Sequence, residues 1–134
     1  MPGPAFTTYG LTHIALAVKS VQQSVDFYEK VFGACVMHST PKWAQVQTPG
    51  ANDIIVFEEN KELAGKNNCG IMHFGFGLTN ANEIKKVTDV LSSVNAPIVE
   101  QGEFVPGEPF VYFKDPDGYT VEVWYESDEL KIES

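Results

Sequence analysis

One order of elements runs twice through this chain: an opening strand with two unlike faces, a helix, then three shorter strands. A strand sends alternate side chains to opposite sides. In the stretch 11–18, His13 shares one face with Leu11, Ala15 and Ala17, while Ile14, Leu16 and Val18 crowd the other. In 71–78, His73 shares its face with Gly75 and Gly77, opposite Phe74, Phe76 and Leu78. The bulky faces require a helix packed on them, and the small ones leave a hollow beside each histidine that a metal and a bound molecule could occupy. A third stretch, 119–125, carries Glu122. Two imidazoles and one carboxylate are the protein ligands of an open divalent-metal site, so His13, His73 and Glu122 are the candidate ligands.

The intervening elements are punctuated clearly. Ser20-Val21-Gln22-Gln23 has the residues of a capping box, and Val21, Val25, Tyr28 and Phe32 form an apolar stripe closed by Gly33. That pattern predicts one helix of about three turns. Strands are expected over 34–39, 43–47 and 53–58, separated by Pro41 and by Pro49-Gly50. The polar stretch 60–68 reads as the connector between halves. In the second half, Asn80-Ala81-Asn82-Glu83 again has capping-box residues and precedes the stripe Ile84, Val87, Leu91. Further strands are expected over 97–104, 110–114 and 119–125, with a Pro/Gly-rich loop at 105–109 and a tight turn at Asp115-Pro116-Asp117-Gly118.

At 134 residues the chain fits a single domain over 1–134, its two modules spanning roughly 9–60 and 69–126, with length enough for a real core. The formal charge of −9 disfavours nucleic acid and anionic membrane surfaces, both of which need a basic footprint, and leaves small molecules or proteins as partners. No apolar run is long enough to span a bilayer, and Met1-Pro2-Gly3-Pro4-Ala5 lacks the features of a secretory signal, so a cytoplasmic protein is expected. Cys35 and Cys69 show no Cys-x-x-Cys spacing and read as small core or loop residues. All nine basic residues are lysines. Without arginine the bidentate fork that grips carboxylate, phosphate or phosphonate is missing.

The run Leu11-Thr12-His13-Ile14-Ala15-Leu16-Ala17-Val18 with Ser24-Val25-Asp26-Phe27-Tyr28 behind it, and the run from Tyr112 through Asp115-Pro116-Asp117-Gly118 to Glu122, resemble the vicinal oxygen chelate superfamily. That group holds glyoxalase I, extradiol dioxygenases, fosfomycin-resistance thiol transferases and bleomycin-resistance binding proteins. The resemblance spans about 9–126. It implies an α+β fold of two βαβββ modules whose curved sheets form a cup, with ligands from the first strand of each module and the last strand of the second. His13, His73 and Glu122 match those positions. Superfamily members of this length commonly pair, several building each cup from two subunits, so a homodimer is expected.

Departures from the subfamilies narrow the chemistry. Glyoxalase I usually adds a ligand from the last strand of the first module, where Val56 or Ile55 falls opposite Glu122, and Glu58 sits two residues beyond Val56. The extradiol-dioxygenase pattern around Glu122 expects an upstream histidine as acid/base, where this chain has Glu103, Phe104 and Val105. His38 is the remaining histidine and reads as a surface residue. Iron, manganese, nickel, cobalt or zinc suits a two-histidine, one-carboxylate site, and such a site supports lyase, isomerase or dioxygenase chemistry on a small oxygen-chelating substrate. Glu122 is the candidate catalytic residue, and Trp43, Tyr112 and Trp124 are candidate substrate walls, Trp124 sharing the face of Glu122 by strand parity. The rival expectation is a metal-free binding protein of the bleomycin-resistance kind for an antibiotic or hydrophobic ligand, using the same cup.

Overall fold

The computed structural model describes residues 3, 5–66 and 71–127. In chain order the elements are β1 (His13–Val18), α1 (Val21–Phe32), β2 (Cys35–Thr40), β3 (Trp43–Gln47), β4 (Ile54–Glu59), β5 (Phe74–Gly77), a 3-10 turn (Ala81–Glu83), α2 (Ile84–Ser93), β6 (Ile98–Glu103), β7 (Pro109–Lys114) and β8 (Thr120–Trp124). They form two four-stranded sheets ordered β1-β4-β3-β2 and β5-β8-β7-β6. In each sheet the opening strand runs parallel to the last strand of its own half. The two βαβββ modules expected from the repeat are therefore present. Among the described residues no helix is long and apolar enough to cross a membrane.

Capping explains where α1 begins and ends. The Ser20 side chain accepts from the Gln23 amide at 3.1 Å, and Gly33, at φ 70°, reverses the chain with its N–H on the Glu29 carbonyl. The second helix departs from expectation. Asn80 does cap, accepting from the Asn82 amide at 2.8 Å, but the turn it caps is 3-10, and α2 starts only at Ile84 with no side-chain cap. Its Asx turn closes too tightly for an α-helix to begin there.

Burial follows the alternation. Leu16, Val18, Ala44, Val46, Ile55 and Phe57 of the first sheet, and Val111, Phe113, Val121 and Val123 of the second, join Tyr28 and Leu91 of the helices in one core. Phe27, absent from the stripe read in the sequence, is buried too and packs on Phe113. Phe32 stacks on Phe76 with centroids 3.7 Å apart, so α1 touches both sheets. The opposite sheet faces, with the histidines and Glu122, stay clear of the helices. β1 and β5 each lie at a sheet edge.

The turn 115–119 ties the halves together. Asp115 Oδ2 accepts the Tyr28 hydroxyl at 2.8 Å, and its Oδ1 accepts the amides of Asp117 and Tyr119. Asp117 accepts the Lys19 amide at 2.9 Å and the Ser24 hydroxyl at 3.4 Å. The Tyr119 hydroxyl reaches the Ala17 carbonyl on β1 at 2.8 Å. At Gly65 the connector passes so close that a methyl group would overlap the Asp117 carbonyl oxygen. The two most telling motifs of the sequence thus grip each other, Ser24 and Tyr28 of one holding Asp117 and Asp115 of the other. Burial pushes the Asp115 carboxyl up despite these donors.

Candidate functional site

On the open face of the second sheet, register places Gly75 beside Glu122, Glu122 beside Tyr112, and Tyr112 beside Glu100. The next row holds Gly77, Trp124, Phe110 and Gly102. His73 Nε2 lies 3.7 Å from Glu122 Oε1, the imidazole half-open to solvent and the carboxylate nearly closed off. An imidazole nitrogen and a carboxylate oxygen at this separation are donor types that could share one ion. A Cβ at Gly75 would sit 3.3 Å from Glu122 Oε1, so the absent side chain is what lets the carboxylate lie there. The sequence places His73 on the opening strand, whereas in the structure it stands one residue before β5. Its ring meets Tyr112 edge-on with centroids 5.0 Å apart. Partial burial first, then the neighbouring Glu122, pushes the Tyr112 phenol above its ordinary value.

His13 sits elsewhere. It opens edge strand β1 on the first sheet, exposed, with Nδ1 3.1 Å from Thr12 Oγ1. Within one chain no group of three His, Cys, Asp or Glu side chains comes together among the described residues. His73 and Glu122 are brought together, and His13 is not brought to them. Open-face rows on the first sheet run Ala15, Val56, Gln45, His38 and then Ala17, Glu58, Trp43, Thr40. Glu58 lies four residues along β4 from Ile54, the partner of His13, which at strand rise is about 13 Å. It stands at the rim. His38 is exposed on the outermost strand. Trp43 faces the same side as His13, far along the sheet from it. Cys35 is exposed on β2, not a core residue; Cys69 falls outside the described residues.

Two features escaped the sequence reading. Phe104 lies just past β6, yet its ring stacks on Phe110 at 4.2 Å and meets Trp124 edge-on at 6.4 Å. The spacing of Glu100, Gly102 and Phe104 was its available signal. A cavity of about 390 Å³ opens between β1 and the approach to β5, walled by Ala15, Ala17, Leu63, Met72, His73 and Tyr119. His73 is the one candidate site residue on its wall.

Comparison with known proteins agrees with this layout. The chain is 27% identical over 119 residues to a catechol-2,3-dioxygenase of Bacillus subtilis, covering 84% of this chain and 41% of that protein. It thus spans less than half the length of that relative. It is 26% identical over 127 residues to a probable trivalent organoarsenical cleaving enzyme of the same organism, covering 90% of this chain and 83% of the other. Among solved structures, the fosfomycin resistance protein FosX of Listeria monocytogenes superposes with a TM-score of 0.76 at 22% identity, over 92% of this chain and 98% of its own. A mutant of that protein has been crystallised with Mn(II) and 1S,2S-dihydroxypropylphosphonic acid. Lactoylglutathione lyase of Agrobacterium tumefaciens superposes at 0.70 with 19% identity, over 88% and 94% of the two chains. These likenesses establish the fold. Residues 10–123 match the family profile, and the chain belongs to the Glyoxalase/Bleomycin resistance protein/Dioxygenase superfamily.

Proposed function

We propose that this protein is a divalent-metal-dependent enzyme acting on a small substrate that offers adjacent oxygens, working in the cytoplasm as a homodimer. His73 and Glu122 of one chain, with His13 of a second copy, would hold the ion. The observation that carries this reading is the pair itself: an imidazole nitrogen and a buried carboxylate 3.7 Å apart, with the space around the carboxylate kept open by Gly75. His13 supports it from the other side, since among the described residues its imidazole is exposed on a strand at the edge of its sheet, where it could reach a neighbouring molecule. Iron, manganese, nickel, cobalt and zinc all suit such donors. A bound ion of this kind polarises an oxygen of the substrate and leaves positions open for it.

The chain's own residues supply the rest. Glu122 is the ligand that also fixes charge at the reacting centre. Tyr112 is paired across the strands with Glu122 and meets the His73 ring edge-on, a place from which it would orient both groups. Trp124 on the second sheet and Trp43 on the first wall the open faces. The chemistry would be that of a lyase, isomerase or dioxygenase, and the names of the relatives support the lyase and dioxygenase readings without choosing between them.

Metal analysis of protein purified without chelator tests the reading. About one equivalent per chain is expected, with a rise in melting temperature on adding Mn²⁺, Fe²⁺, Ni²⁺ or Zn²⁺ to stripped protein. Less than about a tenth of an equivalent and no thermal shift would replace the enzyme with a metal-free binding protein.

A further inference from the structure

We propose that the stretch 5–11, an uncharged arm ahead of β1, seats Tyr9 and Leu11 in the cavity between β1 and β5 of a second copy of this chain, and receives the partner's arm in return. This rests on the homodimer of the reading above and adds what holds the two copies together.

The arm carries apolar surface that its own chain leaves bare. Tyr9 and Leu11 are entirely exposed and Phe6 three-quarters exposed, and none of them joins the core. One such residue would be ordinary, but three within six positions make a patch of the kind that marks an interface. Thr12 is still tied to the sheet, its carbonyl accepting the Ile54 amide at 3.0 Å. Ahead of it the chain turns at Gly10, whose φ of 86° suits glycine. Among the described residues, 5–11 make one hydrogen bond, within the arm, from the Gly10 amide to Thr8 Oγ1 at 3.1 Å.

The cavity is the complementary feature. Leu16, Leu63, Met72, Phe74 and Tyr119 give it apolar walls, and His73 stands among them. Protein interiors leave few voids larger than a water molecule. A cavity of about 390 Å³ is more than twice the roughly 150 Å³ that takes up a benzene molecule, which is room for two large side chains.

Reach and charge select a second copy as the occupant. When His13 of one copy meets His73 and Glu122 of the other, its Leu11 lies within about 7 Å of it along the chain and its Tyr9 within about 14 Å. The His73 side chain is already on the cavity wall, so the placement that completes the ligand set also brings the arm to the cavity. The formal charge of −9 sets two copies against each other, yet no Asp, Glu, Lys or Arg precedes Lys19. The arm therefore approaches without adding to that repulsion.

Sedimentation of the full chain over a dilution series, after chelator treatment so that no shared ion contributes, reads the dimer dissociation constant directly. We expect Leu11→Ala and Tyr9→Ala each to raise that constant at least about tenfold. Leu63→Trp, which puts an indole into the cavity from its connector wall, should raise it as much and abolish the further effect of Leu11→Ala; Leu63→Phe serves if the tryptophan variant does not fold. A constant unchanged in both arm variants, or strictly additive effects of Leu11→Ala and Leu63→Trp, overturns the exchange. So does a chain that stays monomeric at every concentration, or arm variants that lower the melting temperature of the dilute monomer and leave dimerisation alone, the sign of an arm closing on its own cavity. Arm-dependent dimers that take up no Mn²⁺ or Zn²⁺ would sink the metal reading and leave the exchange standing. Metal uptake by dimers indifferent to the arm variants would do the reverse.

Discussion

A missing side chain does as much at this site as the ones present. Glu122 occupies its place because Gly75 is its neighbour across the β5–β8 pair. Gly75→Ala brings a methyl group to 3.3 Å from Oε1 and 3.4 Å from the Glu122 carbonyl oxygen, so the carboxylate must turn aside. We expect that variant to fold normally and to lose metal affinity about tenfold to a hundredfold, the scale for disturbing a ligand's support, as read by Mn²⁺ or Zn²⁺ calorimetry. Affinity equal to wild type would show that Glu122 does not bind the ion where it now lies. The candidate status of His13 and His73 was legible because strand alternation displays each beside small neighbours, and that of Glu122 from its place on the last strand of the second half. The service of Gly75 to Glu122 was not, since it depends on register between segments nearly fifty residues apart.

At the level of elements, α1 and the turn before β8 form a single joint. Tyr28→Phe keeps the ring, which packs on Phe57 and Phe32, but leaves Asp115 Oδ2 short of a buried donor. A loss of about 1–3 kcal/mol is expected in urea unfolding. The same bond makes stability depend on pH in a defined direction. Burial first, then the Asp115 and Asp117 carboxylates, push the Tyr28 hydroxyl well above its ordinary value of 10.0. As pH climbs past that ordinary value the unfolded chain gives up its proton while the folded chain keeps it, so stability is full below it and falls as pH rises through the folded value. Unfolding curves at pH 8, 10 and 11 should show this fall in wild type and less of it in Tyr28→Phe; identical slopes would remove Tyr28 as the cause. Ser20→Ala should cost about 1 kcal/mol by removing the α1 cap, measured by thermal or urea melts. Helix α1 was readable from its cap, stripe and closing glycine. The late start of α2 was not, because the Asx turn at Asn80 satisfied the same residues in another way.

The whole molecule raises the question of where the third ligand comes from. Within one chain His13 stands on a different sheet from the His73–Glu122 pair, and among the described residues both opening strands lie at sheet edges. Two copies placed edge to edge, related by a twofold axis, would bring each His13 to the other chain's pair. Mixing His13→Ala with Glu122→Ala chains, each inactive alone, tests this. Random exchange should restore about a quarter of wild-type metal uptake, since half the dimers are mixed and each has one complete site. No recovery after verified subunit exchange would place the three ligands in a single chain.

Much of this architecture lies in short-range pattern. Period-two alternation set which face of each sheet is buried, capping residues and glycine bounded α1, and the duplicated order of elements implied two alike modules, because such signals need only neighbours a few residues away. Folding in three dimensions decided the remainder: that Tyr28 and Asp115 meet, that Phe104 turns back onto Phe110, and that His13 stands apart from His73 and Glu122 within a chain. Those outcomes depend on which distant segments pack together and in what register, and hydrophobic burial, having no direction of its own, leaves that choice to the fit of the whole core.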